Sequence, residues 1–176
     1  MHRNFTAIAL ALLVLAGCSD AAEDQTEVND PRDAGIATPV TDPEIEAALD
    51  AEMMEGAWGT KEERGLHYAF FGPPETDARI SLVCDPATRE LSIGFPDEAT
   101  TPQTYRLAGG GDVLELVLES DGSEVLPYLE GSVDPANPVI TAFARGPESV
   151  VITYPGGVAE RVPSDPAVAS VLEACS

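Results

Sequence analysis

The chain is 176 residues long and carries 31 acidic against 9 basic residues, a formal charge of −22, with aromatic residues at only 6%. That balance argues against nucleic acid as a partner, because phosphate backbones are bound by clustered Lys and Arg. It equally disfavours direct adhesion to an anionic lipid surface; a basic envelope protein, divalent cations and plain solubility remain open, with solubility the default, since net charge speaks to solubility and association.

Residues 1–17 begin with one positive charge, Arg3, and continue as the apolar run FTAIALALLVLAG over 5–17. The apolar part is about a dozen residues, short of the roughly 20 that span a bilayer, and it has the basic, apolar and small-residue regions of a signal peptide. The stretch LAGC, Leu15 to Cys18, resembles the lipobox of bacterial lipoproteins. The resemblance implies cleavage between Gly17 and Cys18, a diacylglyceryl group on the Cys18 thiol and an acylated new N-terminus, so that the chain meets the membrane through lipid. Two or three acyl chains suffice for stable anchoring. Ser19, rather than an acidic residue, follows the cysteine, which in that family points to the outer membrane, facing the periplasm.

From Ser19 to Glu55 there are twelve acidic residues and one basic residue. Residues 18–43 have few large apolar side chains and no aromatic one, too little burial to offset ordering entropy, and read as a disordered tether. Over 44–55 the pattern changes. Asp42 suits an N-cap, Pro43 the first helical position and Gly56 a stop, while Ile45, Leu49 and Met53 recur at helical spacing, so a short amphipathic helix is expected.

The domain proper is expected over 56–176, with strands of four to eight residues between Gly, Pro and Asp punctuation. Strands are read at 66–71, 78–84, 90–95, 103–109, 112–120, 124–133, 149–155 and 158–163. Pro127 suggests that the 124–133 strand is an edge, and Gly156–Gly157 give the clearest hairpin turn. Asn137 before Pro138 predicts a helix ending near Gly146, with Ile140 and Phe143 on one face and Arg145 at the C-terminal dipole. Ser164 or Asp165 before Pro166 predicts another, with Val168, Val171, Leu172 and Cys175 on one stripe. The fold class is a small, mostly antiparallel α+β domain with its C-terminal helix on the sheet; the alternative is a β-barrel or sandwich with helical caps.

No catalytic, cofactor or metal site stands out. Beyond His2 in the signal peptide the one histidine is His67, too few for a thiol- and histidine-rich zinc site, and no G-x-S-x-G elbow is present. Leu66, Tyr68 and Phe70 alternate with His67, which places His67 and Ala69 on the face away from the core. ESDGSE (119–124) lacks the ligand spacing of a calcium loop and reads as a solvated turn; AGGGD (108–112) lacks the Lys of a phosphate loop. Trp58 is expected as a core anchor. With Cys18 taken by lipid, Cys84 and Cys175 form an even pair in an oxidising compartment, and a disulfide joining the last helix to the sheet is expected.

The stretch 138–175, together with FFGPPETDARISLVCD (70–85), is similar to small secreted or lipid-anchored domains of alphaproteobacteria that share an early Trp, a strand ending in Cys-Asp and a closing helix with Cys. A fainter resemblance, on the lipid anchor and the placing of Cys84 and Cys175, is to membrane-bound inhibitors of C-type lysozyme, although the Ser-Gly-x-x-Tyr pattern of their inhibitory loop is absent. Together these readings predict a lipid-anchored envelope protein that binds or supports rather than catalyses. An inhibitor-like binder, and a hydrolase with His67 as base, are the alternatives.

Overall fold

A computed structural model describes residues 50–146 and 148–176. Gly17, Cys18, the acidic tether and residues 44–49 lie outside the described residues. Nine strands make one sheet: β1 (Ala57–Glu63), β2 (Leu66–Gly72), β3 (Ile80–Asp85), β4 (Glu90–Pro96), β5 (Gln103–Gly109), β6 (Asp112–Ser120), β7 (Tyr128–Val133), β8 (Ser149–Thr153) and β9 (Ala159–Pro163). Their spatial order is β1-β2-β3-β4-β7-β6-β5-β8-β9 and every neighbouring pair is antiparallel. The sheet curls into a half-barrel. The only helices among the described residues are α1 (Pro138–Ala142), a 3₁₀ turn (Pro166–Val168) and α2 (Ala169–Ala174). The expected α+β class therefore fits only roughly: strands dominate, and the half-barrel leans toward the barrel alternative.

Local chemistry accounts for the hairpins. Arg64 and Gly65 (φ 54° and 85°), and Gly110 and Gly111 (φ 62° and 83°), are two-residue turns with both central residues left-handed, the geometry that matches strand twist. The turn from β3 to β4 is held by Asp85, whose Oδ1 accepts from the Ala87 amide at 2.9 Å. Asn137 Oδ1 accepts from Val139 N (2.9 Å) to start α1, and Asp165 Oδ1 from Ala167 N (2.8 Å) to start the 3₁₀ turn, each just before a proline.

The curl has a corner. β6 and β7 share only the ladder pairs Glu119↔Glu130 and Ser120↔Leu129, prolonged by the Asp121 amide donating to Tyr128 O at 2.9 Å. At the crossing, a Cβ on Gly131 would lie 2.9 Å from Leu118 Cδ2 and 3.1 Å from the Val117 carbonyl, so the close approach requires glycine. At the open side, three contacts tie β9 and its end back to the β1–β3 side. Trp58 Nε1 donates to Pro163 O at 2.7 Å, Arg79 Nη2 reaches both carboxylate oxygens of Glu160 at 3.1 and 3.0 Å, and Met54 N donates to Arg161 O at 2.8 Å.

The concave face is the core. Phe71, Leu82, Ile93, Leu107, Leu118 and Ile152 are fully buried beneath Ile140 and Phe143 of the α1 segment, with Val168 and Val171 at the other end. The predicted stripe of the last helix is buried throughout, and Cys175 is bonded to Cys84 with Cα atoms 5.8 Å apart. Phe95 stacks on Tyr105 at 4.7 Å, and the Tyr105 hydroxyl donates to Asp97 Oδ2 at 3.0 Å.

Four sequence expectations are corrected. Residues 50–55 are not helical: they form a turn, a bend and a parallel bridge from Met53 to Arg161, with Met54 buried, because a free edge of β9 is there to be paired. The compact region thus begins before Gly56. The strand expected over 124–133 starts only at Tyr128 and lies inside the sheet, between β4 and β6; Pro127 precedes it and so costs no ladder bond. The helix at Pro138 ends at Ala142 with Phe143 as its cap, leaving Arg145 beyond its last turn. His67 shares a face with Ala69 and Phe71, which are fully buried, so it points to the core side; Phe70 is the outward residue.

Candidate functional site

Among the described residues, polar side chains gather in surface clefts and on the outer face of the sheet.

His67 occupies one such cleft, of about 300 Å³, with Glu62, Ser170 and Val171. Strand pairing brings Glu62 directly opposite His67 across the β1–β2 hairpin, and the Nδ1 to carboxylate distance is 3.4 Å. On its other side His67 is the register partner of Cys84, so it stands beside the disulfide. A carboxylate, a histidine and a serine hydroxyl thus line one cleft. Ser170, however, donates its hydroxyl to Ala167 O at 2.9 Å within its own helical turn, and among the described residues no hydrogen bond links it to His67. The relay from base to nucleophile that hydroxyl activation needs is not assembled.

The convex face offers a larger groove, of about 600 Å³, where the sheet bends between β6 and β7. Its apolar lining is Leu66, Val83 and Val117, the last 62% exposed. Ser92, Ser120 and Ser132 contribute hydroxyls, and Asp85, Glu90, Glu119 and Glu130 contribute carboxylates; none of the lining residues is basic. Two of the acids are engaged locally: Asp85 in its turn, and Glu90, whose Oε1 accepts from Ser132 Oγ at 2.9 Å. Glu119 and Glu130 face each other as register partners on adjacent strands, where like charges oppose pairing.

A second depression, of about 470 Å³, lies farther along β4 and β7. Pro96, Leu126, Pro127 and Tyr128 give it an apolar lining, and Asp77, Asp97 and Glu98 rim it with charge. Tyr128 separates the two depressions. Its ring covers Gly94, where an added Cβ would come within 2.6 Å of the ring, and burial raises the phenol's pKa above its usual value. Phe70 caps Gly59 in the same manner two strands away.

Of the sequence-singled residues, Trp58 is a half-buried anchor packed on Phe71 and Phe143 at 5.5 and 5.6 Å. The 119–124 carboxylates do not converge: Asp121 Oδ1 accepts from Ser123 N at 2.9 Å as a turn brace. No metal-holding group of His, Cys, Asp and Glu occurs among the described residues. The groove escaped sequence reading because its acids come from four strands and converge only through sheet order; the one local signal was the polar alternation Glu115, Val117, Glu119 on β6. No known protein family, no curated protein and no solved structure matches this chain.

Proposed function

We propose that this chain is a lipid-anchored protein of the bacterial envelope whose domain binds another envelope component and performs no catalysis. The observation that carries the binding role is the uncovered convex face: a groove of about 600 Å³ at the corner of the sheet, floored by Val83 and rimmed by Val117, with two carboxylates set opposite each other and left without a partner among the described residues. Attachment through Cys18, with the acidic 18–43 segment as spacer, would hold such a face clear of the lipid headgroups on the periplasmic side of the outer membrane.

The test is photo-crosslinking from a probe residue placed at Val117 in bacteria expressing the full chain, against the same probe at Val158, exposed in the β8–β9 turn. A discrete adduct from position 117 alone is the expected result. Equal labelling from both positions, or ester or peptidoglycan hydrolysis that disappears in His67→Ala, would defeat this reading.

A further inference from the structure

We propose that the occupant of the convex face is an extended, cationic segment of a partner protein that ends in apolar side chains, lying along β4 and β7. This deepens the binding role proposed above and rests on it. Three observations converge. Glu90, Ser92, Gly94 and Pro96 on β4, and Tyr128, Glu130 and Ser132 on β7, alternate onto this one face, and the two strands are in register from Leu91↔Val133 to Pro96↔Tyr128. The face therefore forms a track of about 20 Å at about 3.3 Å per residue, the reach of six or seven extended residues, crossed midway by the Tyr128 ring over Gly94.

The ends of that track differ in chemistry. At the Glu90 end lies the acidic groove, with Glu119 opposite Glu130 and no basic lining residue. At the Pro96 end lies the apolar depression, into which Leu126 projects at 60% exposure, with Val125 beside it at 87%. Leu126, with Pro96, Pro127 and Tyr128 beside it, offers apolar surface for a partner side chain to cover. A cation at the first end relieves the repulsion between Glu119 and Glu130, and an apolar side chain at the second removes Leu126 and Pro96 from water. One segment with Lys or Arg at one end and Leu or Val at the other satisfies both. The chain's own tether cannot do so, since its charges are nearly all acidic.

The probe is a fluorescein-labelled peptide, Lys-Arg-Lys-Gly-Leu-Val-Leu, titrated with the folded chain in about 50 mM and about 500 mM salt. Binding tighter than about 0.1 mM at the lower salt is expected. The Glu119→Gln/Glu130→Gln pair should weaken it about tenfold, whereas Glu55→Gln/Glu148→Gln, which removes the same charge at exposed positions outside the track, should change it less than about twofold. Leu126→Ser, or a peptide with Ser in place of Leu and Val, should weaken it about threefold or more. Folding of the acidic pair is checked by its melting temperature, which should rise as the like-charge pair is removed. Equal weakening by both charge pairs, indifference to the apolar changes, spermine binding as tightly as the peptide, or no binding at all would overturn the assignment. If crosslinking from Val117 persists while the peptide fails, the binding role stands and only this occupant falls.

Discussion

Tyr105 and Tyr154 carry the clearest single-residue consequences. Their rings meet edge to face at 5.7 Å, with Phe95 stacked on Tyr105 at 4.7 Å, and burial raises both phenol pKa values well above the usual 10, with Asp97 beside Tyr105 and Glu160 beside Tyr154 adding to the shift. A raised folded-state pKa means that the unfolded chain releases its proton first. The stability tied to the neutral phenols is complete below pH 10 and is lost as pH climbs from there toward the folded-state values. Urea midpoints should fall steeply above about pH 10, and Tyr105→Phe should shallow that fall. The same variant deprives Asp97 of a donor and should cost about 1–2 kcal/mol at neutral pH, read from the midpoint at unchanged slope. Trp58 is separable in the same way. Trp58→Phe keeps a ring against Phe71 and Phe143 but strands the Pro163 carbonyl, for a loss of about 1–2 kcal/mol, whereas Trp58→Ala also opens the packing and should lose about 3 kcal/mol or more.

At the scale of elements, the disulfide and the final helix act together. Val168, Val171 and Leu172 bury the helix against β1–β3, and the Cys84–Cys175 bond closes a loop with a sequence separation of 91. The chain-entropy model assigns such a loop about 4–5 kcal/mol. Cys84→Ala/Cys175→Ala should lower the melting temperature by roughly 10 °C or more, and reductant should do the same to the native protein but nothing to the double variant. This staple was legible in sequence because periodicity and cysteine count agree. So were the hairpins at Gly110–Gly111 and Gly156–Gly157, where glycine announces the turn. β1 was not read as a strand, and the β1–β2 hairpin was missed with it, since its turn uses Arg64 in the left-handed region, a residue type that carries no turn signal. The face of β2 was misread because Phe70 and Phe71 are adjacent and equally apolar; it is the Phe70 ring that turns outward, over Gly59 across the strand pair. Sheet order lay further beyond reach. Placing β7 between β4 and β6 depends on contacts distant in sequence, and the convex groove exists only through that order.

Over the whole domain, the half-barrel is held at its corner by Gly131 and at its open side by the segment before β1. That segment is where a domain boundary drawn from composition fails. Gly56 is the visible punctuation, yet Met54 is 5% exposed, its amide donates to Arg161 O at 2.8 Å, and the Arg161 amide donates to Glu52 O at 3.2 Å. A chain beginning at Ala57 would lose a buried methionine and two backbone hydrogen bonds, and would present β9 as an open edge. The buried side chain alone is worth about 2–3 kcal/mol, and an unpaired edge invites pairing with another molecule. A chain beginning at Asp50 should match one beginning at Ser19 in melting temperature and remain monomeric at the same concentration. The chain from Ala57 should melt roughly 5–10 °C lower and show concentration-dependent association by light scattering. Limited proteolysis of the longer chain should accordingly stop before Glu52 rather than at Gly56. If instead the Ala57 chain melts with the others and stays monomeric, the bridge to Arg161 contributes nothing to the fold and the half-barrel is closed by Trp58 and Arg79 alone.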